Sequence, residues 1–160
     1  MDYRERYHRQ MLLPEMGEAG QEKLKNARVL LVGVGGLGSP IATYLTGAGV
    51  GTIGLMDDDV VSVTNLHRQV LYTEEEVGLS KVECAVKRLA SQNSDVKLVP
   101  YACRLTEENA AEIIRDYDMD WSGVPLPSLL LFTGIIKNKF GLHFNQNKLN
   151  TAYKDTAAYF

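Results

Sequence analysis

Four glycines and a short set of charged residues carry the chemistry written into this sequence. Gly33, Gly35, Gly36 and Gly38 stand in the stretch VLLVGVGGLGS, where an apolar run breaks into a turn and then resumes as a helix-like pattern. The spacing Gly33-x-Gly35-x-x-Gly38 suits a tight turn, a close approach of backbone to phosphate, and a helix packed hard on its strand. A helix that begins there offers free N–H groups and the positive end of its dipole to an anion. Such a turn holds a dinucleotide for hydride transfer, or a nucleoside triphosphate whose phosphates are about to be parted. The glycines alone leave both open.

Asp57 stands about 20 residues beyond the glycines, where a carboxylate can grip ribose hydroxyls. That suits either nucleotide, and Asp58 and Asp59 read equally well as a solvated strand end. The next residues discriminate better: Thr64-Asn65-Leu66-His67-Arg68-Gln69, followed by Lys81 at the start of a helix. A dinucleotide has two phosphates, bound mainly by backbone. A triphosphate under nucleophilic attack needs Arg and Lys to clamp it and to neutralise the departing pyrophosphate. Two isolated cations would by default be surface residues, but the position of Arg68 and Lys81 after Asp57 favours the site.

These residues must be positioned by an alternation of strands and helices. Residues 28–32 form a continuous apolar strand, and Leu37, Ile41, Tyr44, Leu45 and Ala48 then recur at helical spacing until Gly49. Residues 52–56 are the second strand. Val82, Ala85, Val86, Leu89 and Ala90 mark a helix that stops near Asn93, and residues 97–105 follow as a third strand in which Pro100 points to an edge position. Thr106 is placed to cap another helix, with Ala110, Ile113 and Ile114 turned inward. Two short helices, over 4–12 and 18–26, precede the first strand. Strands separated by helices of this length predict an α/β, Rossmann-like, doubly wound and mainly parallel sheet with helices on both faces.

The chain has 160 residues, of which 45% are hydrophobic and 23% charged, with a net charge of −3. That balance describes a soluble globular domain rather than a nucleic-acid or membrane-surface binder, which would need a basic face. No signal-peptide pattern opens the chain, and the apolar run at 126–136 falls short of the roughly 20 residues of a membrane helix, so a cytoplasmic location is expected. Cys84 and Cys103 have no C-x-x-C spacing and read as small core residues, without a zinc site. His8, His67 and His143 show no metal-ligand spacing, the run Glu74-Glu75-Glu76 reads as a solvated turn, and Tyr3 and Tyr7 read as packing residues.

The ordered combination of Arg9-Gln10, G-x-G-G-L-G, Asp57-x-Asp59, Asn65-Leu66-x-Arg68-Gln69 and Gly78-x-x-Lys81 resembles the ThiF/MoeB/HesA family, the bacterial relatives of ubiquitin-activating enzymes. The resemblance covers residues 7–118. It implies ATP-dependent adenylation of the C-terminal glycine of a ubiquitin-like sulfur carrier protein, in thiamine or molybdopterin biosynthesis, with Mg2+ accompanying ATP. It implies that Gly36 lies on the phosphates and Asp57 on the ribose. Asn65 and Arg68 would contact the triphosphate and Lys81 would hold phosphate, with Gly33, Gly35, Gly38 and Asp59 completing the nucleotide set. Arg9 would reach into the partner subunit's site as an arginine finger, which implies a homodimer.

Residues 1–118 are therefore expected to form the ATP-binding portion, and 119–160 an atypical tail that contains neither Glu nor Arg. In that tail Pro125 stands near where the family pattern has a magnesium-binding aspartate. The family's paired C-x-x-C zinc ligands and the second half of its sheet have no counterpart, and a frameshift or truncation past residue 118 is the expectation this raises. Impaired adenylation is expected with it. The alternatives are a non-catalytic nucleotide-binding or partner-binding fragment, and an NAD-dependent oxidoreductase, which leaves Arg9, Arg68 and Lys81 unexplained.

Overall fold

In the computed structural model, residues 2–122 are described. Four parallel strands form one sheet in the order β3-β2-β1-β4: β1 (Arg28–Val32), β2 (Thr52–Met56), β3 (Lys97–Tyr101) and β4 (Met119–Ser122). Five helices accompany them: α1 (Tyr3–Met11), α2 (Gly17–Asn26), α3 (Gly38–Ala48), α4 (Lys81–Gln92) and α5 (Glu107–Ile114). Beyond their first residues, Arg28 and Thr52, strands β1 and β2 are apolar because both of their faces are covered. Val29, Leu31, Ile53 and Leu55 point to the face packed by α3 and α4. The alternate residues Leu30 and Gly54 point the other way, where the Tyr117 ring lies against Gly54. Full burial of a side chain such as Leu30, Leu31 or Leu55 is worth about 1.5–3 kcal/mol each, so this double cover fixes the sheet.

The expected doubly wound architecture is present, with differences of detail. The third strand ends at Tyr101 rather than at residue 105, because its last partner is Met56 and the chain then turns toward α5. Cys103 is consequently off the sheet and only half-buried, whereas Cys84 is buried in the core as expected. Pro100 does sit on an outer strand of the described sheet, opposite Leu55. Strand β4 pairs with β1 from Val29↔Met119 to Val32↔Ser122, so the sheet extends beyond residue 118.

The inward face of α3 differs from its hydropathy pattern. Gly38, Ser39, Ala42 and Thr46 are buried, Ile41 and Leu45 pack at the margin, and Leu37 and Tyr44 face outward. Small residues let this helix approach β1 closely. Thr106 caps α5 in a capping box, its N–H donating to Asn109 Oδ1 at 2.8 Å. The 74–76 run is a 3-10 turn rather than a merely solvated one, since Glu76 is fixed by Thr73 and Arg88.

Helices α1 and α2 close the end of the sheet where the strands begin. Tyr7, 2% exposed, lays its ring on Gly49, which ends α3 with φ 83°. Asn93 Nδ2 donates to the Tyr7 hydroxyl and to Thr46 O, both at 2.7 Å. Gly51 donates its N–H to Leu24 O at 2.9 Å. No helix among the described residues is long and apolar enough to cross a membrane.

Candidate nucleotide site

The chain leaves β1 toward β2 on one side, and β4 enters beside β1 on the other. A crevice at the carboxyl ends of strands belongs at such a reversal of order, and the glycine turn lies there. Gly33 adopts φ 94°, a left-handed conformation that favours glycine, and donates its N–H to Met56 O at 2.7 Å. A Cβ on Gly38 would lie 1.9 Å from Gly33 O, so α3 can begin immediately only because residue 38 has no side chain. Ser39 Oγ and the Tyr72 hydroxyl both donate to Val34 O, at 3.0 and 2.7 Å. Helix α3 has no side-chain N-cap and no acidic residue in its first turn. Its dipole and its first N–H groups therefore stay uncompensated by side chains.

Gly35 and Gly36 are different from Gly33 and Gly38. Among the described residues nothing comes closer than 3.5 Å to a Cβ at either position, and neither has a positive φ. The nearest atoms are Gln69 Nε2, 3.5 Å from the Gly35 position, and Arg68 Cδ, 3.5 Å from the Gly36 position. Successive side chains of the 65–69 turn thus lie over successive glycines. That turn is closed by Asn65, whose carbonyl accepts from Arg68 N at 3.1 Å and Gln69 N at 3.0 Å.

At the end of β2, ligand oxygens of Asp57, Asp58 and Asp59 lie within 4.8 Å of one another. Each carboxylate has its own partner. Asp57 accepts from Val34 N at 2.8 Å through Oδ2 and from Asp59 N at 3.0 Å through Oδ1, tying the glycine turn to the loop after β2. Asp58 pairs with the Arg104 guanidinium at 2.7 Å. Asp59 pairs at 2.9 Å with Lys81, whose side chain is only 5% exposed. Lys81 is therefore a cation withdrawn from bulk water and held at the first turn of α4.

Gly33, Gly35, Gly36, Gly38, Asp57, Asp59, Asn65, Arg68 and Lys81 are thus gathered around one end of the sheet. Arg68 is exposed, steadied by Thr64 O at 3.0 Å and beside His67 Nε2 at 3.2 Å. Arg9 is not brought there. It is exposed in the last turn of α1, at the end of the sheet where α3 finishes. An 11-residue helix separates that end from the glycine turn, a span of about 16 Å at 1.5 Å per residue. Pro125, His143 and the apolar run at 126–136 lie outside the described residues.

Sequence reasoning overlooked Gln69, Tyr72, Ser39 and Arg104. Gln69 is 3% exposed and its Oε1 has no hydrogen-bond partner among the described residues. Its presence in the N-L-x-R-Q run was the only available signal. The Tyr72 hydroxyl is pushed well above its ordinary pKa by burial and, secondarily, by the Asp57 charge, so it remains a neutral donor to Val34 O.

The profile of the ThiF family matches residues 7–120. The sulfur carrier protein adenylyltransferase of Thermus thermophilus is 56% identical over 115 residues, which cover 72% of this chain and 42% of that protein. An adenylyltransferase and sulfurtransferase, uba4 of Aspergillus clavatus, is 54% identical over 114 residues, 71% of this chain and 23% of that protein. Among solved structures, the E. coli tRNA N6-threonylcarbamoyladenosine dehydratase TcdA superposes with a TM-score of 0.78 at 29% identity, covering 86% of this chain and 58% of that one. Its complex with ATP gives 0.73 at 30% identity, over 78% and 51%. The chain spans less than half the length of the curated relatives it matches here.

Proposed function

This chain belongs to the ThiF family, and on that premise we propose that it binds ATP in the glycine turn and serves adenylation of a ubiquitin-like sulfur carrier protein. The observation that carries the reading is the pair Gly35 and Gly36. Among the described residues neither meets a clash or a positive φ that would require glycine, yet Arg68 and Gln69 overlie them and the start of α3, which has no side-chain cap, adjoins them. A phosphate chain supplies the reason. The kinship to a sulfur carrier protein adenylyltransferase and to a structure solved with ATP supports the same nucleotide.

In the proposed reaction the carrier's C-terminal carboxylate oxygen attacks the α-phosphorus. The bond from that phosphorus to the α–β bridging oxygen breaks, pyrophosphate departs with the bond's electrons, and an acyl-adenylate remains. Attack of an anion on an anion needs cations already in place. Arg68 and Lys81 fill that role from one chain, with Asn65 beside them and Asp57 offering its remaining lone pairs to the ribose. Arg9 of the partner subunit would supply charge from the other side in a homodimer, which its place far from its own glycine turn favours. The acidic cluster is a poor cage for a divalent ion, because Asp58 and Asp59 already hold Arg104 and Lys81. Mg2+ would therefore arrive as a companion of the triphosphate rather than be held by this cluster. The cytoplasm is the proposed setting, and free thiols at Cys84 and Cys103 suit it.

Calorimetric titration with ATP and NAD tests the nucleotide. ATP is expected to bind and NAD to bind weakly or not at all; the reverse order overturns the reading. Arg68→Ala should weaken ATP binding about tenfold or more without unfolding an exposed turn. Exchange of labelled pyrophosphate into ATP, dependent on a carrier ending in glycine, tests the chemistry. With Pro125 near the position of the family's magnesium aspartate, exchange by this chain is expected to be weak, and robust exchange would overturn that view of Pro125.

A further inference from the structure

Helix α1 is held on the molecule by few contacts, and one of them adjoins Arg9. Tyr7 is its only buried residue, and that ring rests on Gly49. A single ring is a pivot rather than a mount, so polar side chains on either side of it must steady the helix. Just before it, Arg6 donates from Nη1 to Gln92 O at 3.2 Å and lies 3.4 Å from Asp95. In the last turn, Gln10 Nε2 donates to Ala48 O at 2.9 Å and to Gln21 Oε1. Gln21, 1% exposed, donates its own Nε2 to the same Ala48 carbonyl at 3.1 Å. Ala48 is the last residue of α3, so its carbonyl has no partner within that helix. Two amides thus fasten the last turn of α1 to the helix whose first turn borders the glycine turn. Arg9 stands next to this clamp and takes no part in it. Arg4 pairs with Glu18 at 3.4 Å and Arg6 with Asp95, whereas the exposed Arg9 pairs with no carboxylate among the described residues.

We infer that Gln10 is a positioning residue for Arg9: its amide locks the last turn of α1 to the carboxyl end of α3, and so sets where Arg9 enters the nucleotide site of a second copy of this chain. In a two-fold dimer each chain presents Arg9 at one end of α3 and its glycine turn at the other. Fastening both to one helix makes their separation a fixed property of the chain, which a helix pivoting on Tyr7 would not. An error of about 1 Å in placing a reacting group can cost about a hundredfold in rate. Gln10 carries no charge and stays at the closed end of the sheet, so it acts on phosphate only through Arg9. The inference rests on the reading of Arg9 as a residue of the partner's ATP site and concerns what holds it in place.

The test is calorimetric titration of ATP into the full chain, whose dimer is followed by sedimentation, and into Arg9→Ala, Gln10→Met and the double variant. Gln10→Met keeps the length of the side chain and removes its donor. Gln21 still bonds Ala48 O, so Tm is expected to fall only slightly. ATP should bind about tenfold more weakly to Arg9→Ala and about fivefold more weakly to Gln10→Met. The double variant should bind no more weakly than Arg9→Ala, because the clamp then has nothing left to place. Mixed dimers supply a readout that a role in folding alone would not move. In a dimer of Gln10→Met with Arg68→Ala, the first chain keeps its Arg68 and receives Arg9 from a partner whose Gln10 is intact, so one site of wild-type affinity is expected to return. The same mixture made with Arg9→Ala reports whether Arg9 acts across the dimer. Three results overturn the inference and leave the role of Arg9 standing: unchanged ATP binding in Gln10→Met beside a loss in Arg9→Ala, losses that multiply in the double variant, or recovery in the Arg9→Ala mixture alone. A monomeric wild type, unchanged binding in Arg9→Ala, or recovery in neither mixture removes Arg9 from the partner's site and the inference with it. Wild type that binds no ATP removes the site itself.

Discussion

The two ends of the β1–β2 unit use the same residue types to opposite effect. Where the strands begin, Gly49 and Gly51 are glycine because the chain itself fills the space: a Cβ would lie 2.5 Å from the Tyr7 ring at one and 1.7 Å from Lys25 O at the other. The polar groups there bond each other, Asn93 to Tyr7 and Thr46, and Gln21 Nε2 to Ala48 O at 3.1 Å. Where the strands finish, a Cβ at Gly35 or Gly36 would meet only ordinary contacts, Gln69 Oε1 has no partner among the described residues, and α3 has no side-chain cap. Most polar groups of the closed end bond within the chain, although Thr46 Oγ1 there has no partner among the described residues. The sharper difference is steric: a side chain at Gly49 or Gly51 would clash, and one at Gly35 or Gly36 would not.

Alanine substitutions at the two ends should separate these roles. Gly51→Ala drives a methyl into a backbone carbonyl that cannot swing aside, so a loss of about 3 kcal/mol or more, read by urea unfolding, is the largest effect expected. Asn93→Ala comes next. It strips partners from the buried Tyr7 hydroxyl and Thr46 carbonyl and should cost about 2 kcal/mol, with ATP affinity of the folded protein unchanged within about twofold. Gly36→Ala should behave in the opposite way. Its methyl meets only Arg68 at ordinary contact distance, so unfolding should shift by less than about 0.5 kcal/mol while ATP binding falls several-fold. If Gly36→Ala proves as destabilising as Gly51→Ala, the two ends are alike and the comparison fails.

The difference between the ends was only partly legible in the sequence. Strands β1 and β2 could be read because burial on both faces makes them continuous apolar runs, and the fold class followed from their alternation with helices. The buried face of α3 could not, because it consists of Gly38, Ser39, Ala42 and Thr46 and hydropathy instead favours outward-facing Leu37 and Tyr44. The third strand was extended to 105 because alternation continues after Tyr101, although pairing does not. Gly36 and Gly51 are the same letter, and only the atoms around them tell that a side chain would clash at Gly51 and not at Gly36. Gln69 was legible only as the last residue of the Asn65-Leu66-x-Arg68-Gln69 run. Its burial comes from Tyr72 folding the 65–72 turn back onto Val34, a contact 38 residues away in sequence.

The smallest effect tests how the open end is held in place. The segment that carries Arg68 and Gln69 runs on to Glu76, which accepts from Thr73 N at 2.8 Å and pairs with Arg88 at 3.3 Å. Burial by itself would raise the Glu76 carboxyl, but the Thr73 hydrogen bonds and the Arg88 guanidinium outweigh it and hold the group below its ordinary value of 4.5. A depressed carboxyl stabilises the fold fully above the unfolded value, and that contribution disappears as pH falls through the lower, folded one. The Tm gap between wild type and Glu76→Gln should therefore be constant at neutral pH, begin to close only below about 4.5, and vanish in stronger acid. The closed end has carboxylate contacts of its own, Arg6 to Asp95 at 3.4 Å and Asp2 capping α1 at 2.9 Å, so loss of structure in acid does not by itself separate the two ends. The Glu76→Gln gap is the readout specific to the segment carrying Arg68, and a gap that stays open in strong acid would show that Thr73 and Arg88 do not hold Glu76 in the way described.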